Sequence, residues 1–441
     1  MRARSALVAA VVAVTSLGGL FAAWSSGNEA PASGEPIAER ATTTEAAPST
    51  VAPGARRAQE TTTSSQPPAA APAQLRGGWV QLFDDTLKSR AGIRAMVEQA
   101  ADANLNALFV QVVRRHDAYY RSSVLPRSPD PALPADHDVL AVAIEEGRRR
   151  GIQIHAWIVV APAYHSVYDG LALPPGHVWV DHGPASADPW MAVDQAGNTG
   201  QYLDPALPGV QDHVAAIVKE IATRYDVDGI HTDYLRYDGV QYGYHPLNVS
   251  RFQAATGATG VPIPDDPQWT AWRRDRLTEL AMRVRDVAKA ARPDVVVSAA
   301  VIAQGKGPAA AGGFEGTVAY RDKLQDWRRW VETGVVDLAI PMVYFREANP
   351  EQAGWFRDWV AFVDGLRGNG AGTSVAVGLG AWLNSVGHSA GQAAHALAHS
   401  DGVAIFSLQQ DSSDAPPGAL VRALGPAGGG PFSEPAPPPG G

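Results

Sequence analysis

Cysteine is absent from the chain. That excludes disulfides, a thiolate nucleophile, thiolate metal centres and the cysteine to which a lipid anchor is attached. Histidine and carboxylates alone remain for a metal, and without a defined third ligand no metal and no cofactor are expected. Long basic runs are also missing, and the formal net charge is −9, so no nucleic-acid groove is expected. No glycine-rich phosphate loop follows the first strand, which disfavours a doubly wound dinucleotide fold. A Ser-His-Asp hydrolase is disfavoured because no G-x-S-x-G elbow is read in the sequence.

What is present divides the 441 residues into four parts. Arg2 and Arg4 precede an apolar run over residues 6–23, so 1–24 reads as a secretory signal or an uncleaved membrane anchor. Residues 25–73 are dense in Ala, Pro, Thr and Ser and hold almost no large apolar side chains. They cannot bury enough surface to offset the entropy of ordering and read as a disordered linker. Residues 425–441 are Gly- and Pro-rich and read as a second, short disordered tail. An exported, monomeric protein is expected.

Between residues 74 and 424 apolar runs alternate with helical patterns. Strands are expected at 78–83, 107–113, 152–160, the stretch ending at Asp233, 295–301, 336–344, 373–379 and 403–408. Each is followed by a helical pattern, the third only after a long Gly/Pro-rich loop. Eight such units in about 350 residues specify an α/β fold, a (β/α)8 TIM barrel. In that fold chemistry belongs at the C-terminal ends of the strands and stability at the other end, where Asp337 lies.

The focus is Y-D-V-D-G-I-H-T-D-Y-L-R-Y-D-G, residues 225–239. Alternation puts Gly229, His231 and Asp233 on one face, with Asp233 at the strand's C-terminal end. Other strand ends contribute Gln111 and Asp117, His155 and Trp157, Tyr344 with Glu347 beyond it, Trp382, and Gln409 with Asp411. His155 and His231 read as neutral, hydrogen-bonded rim groups. Aromatic faces, amides and carboxylates on one rim suit a polysaccharide. Trp157, Tyr344 and Trp382 are expected to line one surface with Asp233. Trp179 and Trp190, in the long third loop, are placed to wall an extended cleft.

Glycoside hydrolysis ordinarily takes two carboxyl groups. Asp233 is the first catalytic candidate. Glu347 ranks ahead of Asp204, Asp117 and Asp238 for the second. Gln111, Asp117, His155, Trp157, Asp204, His231, Arg236, Tyr344 and Trp382 are the expected substrate-binding set. A non-catalytic glycan-binding barrel is the alternative reading.

Eight ordered blocks carry a family resemblance. They are R-G-G-W-V (76–80), N-A-L-F-V-Q-V-V (106–113), D-A-Y-Y-R-S (117–122), I-H-A-W (154–157), Y-L-D-P (202–205), D-G-I-H-T-D-Y-L-R-Y (228–237), W-R-R-D (272–275) and D-L-A-I-P-M-V-Y (337–344). Together they resemble the glycosyl hydrolase-like 10 family of bacterial envelope proteins. The resemblance implies a TIM barrel, glycosidase chemistry on an envelope glycan such as peptidoglycan strands, and Asp233 as the catalytic carboxylate. Two positions depart from the family pattern. Tyr234 stands where many members carry a second Asp, and Met342 where many carry Gln, so substrate preference does not transfer closely.

Overall fold

The computed structural model describes residues 73–164 and 172–439. Residues 1–72, on which the expected signal or anchor segment and almost all of the expected linker fall, lie outside the described residues. Eleven strands follow in order: β1 Leu75–Val80, β2 Ala107–Val113, β3 Gln153–Val159, β4 Met191–Val193, β5 Thr199–Leu203, β6 Gly229–Asp233, β7 Val296–Ile302, β8 Leu338–Val343, β9 Ser374–Val375, β10 Val377–Gly380 and β11 Gly402–Phe406. Nine form one parallel sheet in the order β10-β11-β1-β2-β3-β6-β7-β8-β9, and β10 also pairs with β8, which closes the sheet. β9 and β10 are halves of one strand interrupted at Ala376, so the barrel has eight strands. The chain is a TIM barrel.

The principal helices are α1 Arg90–Asp102, α2 Val139–Arg150, α3 Pro208–Arg224, α4 Pro246–Thr256, α5 Pro267–Ala291, α6 Trp327–Glu332, α7 Pro350–Asp364, α8 Val386–His399 and α9 Ala419–Leu424. Their starts carry the expected signals. Asp138, Asp266, Asn349 and Ser385 each accept a backbone N–H of the first turn, and a proline opens α3, α4, α5 and α7. Among the described residues no helix is long and apolar enough to cross a membrane.

Strands covered on both faces need near-continuous apolar sequence, which is why A-L-F-V-Q-V-V and V-V-S-A-A-V-I read as they do. All residues of β2 and β7 are buried. At the N-terminal end of the barrel one device recurs. The polar residue before a strand accepts a backbone N–H from the preceding strand: Asn106 from Arg76 at 2.9 Å, Asp228 from Ile154 at 2.8 Å, Asp337 from Val297 at 2.8 Å and Asp401 from Val375 at 2.9 Å. Asp337 is thus a structural carboxylate, as its place at a strand start implied.

The interior is layered, and the layers overturn the placement of both histidines. His155 is 1% exposed, edge-on to Phe109 at 5.0 Å. It leaves no room for a side chain at position 229, where a Cβ would lie 2.0 Å from its Nδ1. His231 is fully buried one layer higher. Its Nε2 accepts from the Trp79 indole at 2.9 Å and its Nδ1 lies 2.9 Å from the Ser298 hydroxyl, which fixes a neutral ring protonated on Nδ1. Both are neutral, but they are core groups rather than rim groups, with no face turned to a substrate.

Two further expectations need correcting. The long loop after β3 contains the antiparallel hairpin β4–β5, and α4 is an additional helix. An aromatic cluster of Tyr244, Phe252, Trp269 and Trp272 underlies α4. Buried Arg273 ties this insert down by donating to the carbonyls of Val240 and Pro264, both at 2.6 Å, and to that of Tyr242. The tail is also ordered over 425–439. Phe432 is fully buried, Asn104 donates to its carbonyl at 2.7 Å, Asn106 donates to Ala436 at 3.0 Å, and Arg76 donates to Glu434. Composition alone missed this because the tail is anchored by one aromatic ring and by backbone acceptors, which any sequence provides.

Removing the Phe432 ring should cost about 3–4 kcal/mol, in the usual range for a buried phenylalanine. Urea unfolding of Phe432→Ala measures it; a loss under 1 kcal/mol would mean the tail is not part of the folded unit.

Burial lowers the pKa of His155 and of His213 from 6.5 to about 4, and holds His116 and His231 well below their usual value. Groups depressed in the fold bind protons on unfolding, so their stabilisation is present above pH 6.5 and lost as pH falls toward 4. Melting temperature should therefore fall across that window, and fall less steeply in His155→Gln. Identical slopes for the two proteins would contradict it.

Candidate active site

Asp233 is the last residue of β6 and is 6% exposed. The chain turns sharply there because Tyr234 has φ 56°, a left-handed backbone that costs a non-glycine residue roughly 1–2 kcal/mol. Two contacts hold it. The Arg236 guanidinium lies over the Tyr234 ring at 3.9 Å, and the Tyr202 ring meets it edge-on at 5.9 Å. The same turn gives Asp233 Oδ1 the Tyr234 N–H at 2.6 Å and brings Arg236 Nη1 to 3.5 Å.

Burial raises the Asp233 pKa above the usual carboxylate value. Arg236, the Tyr234 amide and the nearby Trp157 indole N–H pull the other way and lose. The indole makes no aligned hydrogen bond to any described residue, which leaves a buried donor beside the carboxylate.

Aromatic rings converge beside it from four strand ends. Phe406 stands centrally: Tyr344 stacks on it at 5.6 Å, Trp382 meets it edge-on at 5.4 Å and Trp157 at 6.3 Å. Tyr344 and Trp382 touch each other at 5.1 Å. The Asp233 charge raises the Tyr344 pKa further after burial has raised it, which fixes Tyr344 near the carboxylate. The structure thus brings Trp157, Tyr344, Trp382, Asp233 and Arg236 together. Phe406 was missed by the sequence reading; its only signal was its place at the end of the eighth apolar run. Above it, Gln409 and Gln81 brace each other, Gln81 N–H donating at 3.0 Å and Gln409 returning a bond at 2.7 Å.

The remaining candidates are engaged elsewhere. Burial pushes the Glu347 carboxyl up, but Arg357 at 2.5 Å and Gln392 at 3.1 Å outweigh it and hold the pKa low. Those partners sit on α7 and α8, so this carboxylate is turned to the outer helices. Asp117 is fully buried with Arg115 at 3.2 Å. Asp204 is fully buried, accepting from Tyr237 and from the Ala206 amide, each at 3.1 Å. Asp238 is exposed, and its carbonyl accepts from Lys323. Gln111 spends its carbonyl oxygen on the Leu82 N–H at 3.0 Å. Asp411 caps α9 through the Gly418 and Val421 amides. As second carboxylate, Glu347 is therefore a poor general acid, and Asp117 and Asp204 are structural.

Trp190 does not wall a cleft. It stacks on His182 at 3.4 Å, next to His213, and fixes the loop to α3. Trp179 instead stacks on Tyr164 at 4.6 Å.

Two strings on α8 went unnoticed in the sequence. G-H-S-A-G (387–391) matches a nucleophile-elbow pattern, yet Ser389 is 1% exposed inside a helix, so it is not an elbow. The His395 and His399 rings meet at 4.8 Å with their planes tilted 48° apart, and His399 pairs with Asp364 at 3.2 Å. Among the described residues no group of three or more His, Asp or Glu side chains is arranged to hold a metal. An open depression of about 420 Å³ beside Lys88, Ser89 and His137 lies away from these aromatics and lacks Asp233.

Comparison with known proteins accords with this geometry. The chain is 26% identical over 287 residues to the glycosyl hydrolase DigH of Escherichia coli K12, which covers 60% of this chain and 61% of DigH. It is 26% identical over 274 residues to the glycosyl hydrolase YngK of Bacillus subtilis 168, covering 57% of this chain and 48% of YngK. The matched region thus spans roughly half to three fifths of these relatives. Its fold resembles the glycoside hydrolase domain of PgaB from Bordetella bronchiseptica, with TM-score 0.59, 17% identity and coverage of 80% of this chain and 98% of that one. It also resembles the catalytic domain of beta-amylase from Paenibacillus polymyxa, with TM-score 0.58, 11% identity and coverage of 81% and 98%. A family profile matches residues 74–360, most of the barrel, and the chain belongs to the glycosyl hydrolase-like 10 family.

Proposed function

We propose that this protein hydrolyses glycosidic bonds in a cell-envelope polysaccharide, with the glycan strand of peptidoglycan as its substrate. Asp233 is its acid/base carboxyl. The observation that carries the reading is the state of Asp233: it ends a barrel strand beside four aromatic rings, and burial raises its pKa despite an arginine at 3.5 Å. A carboxyl kept protonated further up the pH scale can give its proton to a leaving glycosidic oxygen and then take one from water. The Trp157 indole N–H is a buried donor beside the carboxyl, and the aromatic faces suit the apolar faces of pyranose rings. Family membership and the glycosyl hydrolases it resembles support the reaction class. The basic start and apolar run of residues 1–24 support an envelope location, secreted or anchored outside the cytoplasmic membrane.

A non-catalytic glycan-binding barrel is the rival, favoured by one observation: Glu347 is neutralised by Arg357 instead of facing Asp233's aromatic surroundings as an open partner.

Purified peptidoglycan glycan strands, with and without stem peptides, separate the two by the release of new reducing ends. Asp233→Asn should lower turnover about 10²–10⁴-fold, the usual contribution of acid/base assistance. Equal release by wild type and variant would remove Asp233 from the mechanism. Tight binding with no release by either would establish the binding barrel.

A further inference from the structure

Large aromatic side chains on a loop are ordinarily explained by the core they fill. Four rings, the first of them adjacent to Asp233, are not explained that way. Tyr234, Tyr202, Tyr164 and Trp179 are each partly exposed, whereas Trp157 and Tyr344 are buried. They are joined in series. Tyr234, adjacent to the carboxylate, meets Tyr202 at 5.9 Å. Tyr202 sits on β5, where it bridges Pro162, and its neighbour Gln201 accepts from the backbone of Ala163 at 3.0 Å and of Tyr164 at 3.3 Å. Tyr164 then stacks on Trp179 with the planes 19° apart. Trp179 is held in turn by its one-helical-turn segment, where the His177 ring caps its N–H at 3.1 Å.

Backbone pairing therefore fixes the spacing of the rings, and each ring stays partly exposed, with one face of Tyr234 taken by Arg236 and one face each of Tyr164 and Trp179 taken by the other. Phenol groups on three of the four add hydrogen-bonding capacity at the ring edges. Such surfaces stack sugar rings in a way that is tolerant of the substituents on each sugar.

We infer that Tyr234, Tyr202, Tyr164 and Trp179 form a stacking track that leads a glycan chain away from Asp233, so that the ligand is a long polysaccharide gripped along its length. This rests on the glycosidase reading only for what happens at Asp233; the track binds whether or not the bond is cut. Trp179, at the far end, sets the preference for long chains over short ones.

The test is titration calorimetry on the full-length Asp233→Asn protein, with purified glycan strands and with short fragments of the same strands. Adding Trp179→Ala should lower the ratio of strand affinity to short-fragment affinity about tenfold, the loss of roughly one aromatic face. Trp179→Phe should restore most of it. Tyr164→Leu, which keeps apolar bulk but removes the flat ring, should lower the same ratio if Trp179→Ala fails to fold. An unchanged ratio in folded Trp179→Ala or Tyr164→Leu would overturn the track. Because binding is read in a protein with Asp233 removed, a failure of hydrolysis leaves this result standing, and a failure of the track leaves hydrolysis standing.

Discussion

The turn that follows Asp233 is the constraint on which the rim depends. A strand that simply continued would keep φ negative at the residue after Asp233. The left-handed backbone at Tyr234 instead folds the chain back within three residues and sets Arg236 against both the Tyr234 ring and the carboxylate. Aspartate or asparagine would occupy that backbone more cheaply than tyrosine, so the tyrosine is held there by its neighbours. Tyr202, from the β4–β5 hairpin, is one of them. The turn thus couples the end of β6 to the long third loop as well as to the aromatic cluster around Phe406.

Electrostatically the site is a contest between burial and an adjacent cation. An exposed carboxylate at 3.5 Å from an arginine would be held low. Here the aromatic rings beside Asp233 help strip water from it, and desolvation wins. Glu347 shows the opposite outcome in the same barrel: it is partly open, paired with Arg357, and held low. Environment separates the two carboxyls, raising the pKa of Asp233 and lowering that of Glu347.

Much of this was legible in the sequence, and the failures have common physical causes. Strand β2 was placed to the residue at 107–113 because both faces are buried and the run is unbroken. β1 was set three residues late, since Gly77 and Gly78 offer no side chain to a hydrophobic pattern while Leu82 and Phe83 prolong it. Alternation gave the correct face for Gly229, His231 and Asp233, but a face is not a depth. Nothing in period two says that His155 and His231 lie in lower layers while Trp157 and Asp233 reach the rim. The hairpin T-G-Q-Y-L was read as loop because only its last residue is buried. Phe406 was overlooked because its role comes from three neighbours distant in sequence.

The account stands or falls on the protonation of one carboxyl. Carbon-13 labelling of aspartate, with Asp233→Asn used to assign the resonance, gives its titration directly by NMR. The account predicts a midpoint above the ordinary 3.8, moving further up when Arg236 is replaced by methionine and coinciding with the alkaline limb of kcat/KM. A midpoint at or below 3.8 would show that Arg236 outweighs burial, and would contradict the assignment of Asp233 as the proton donor.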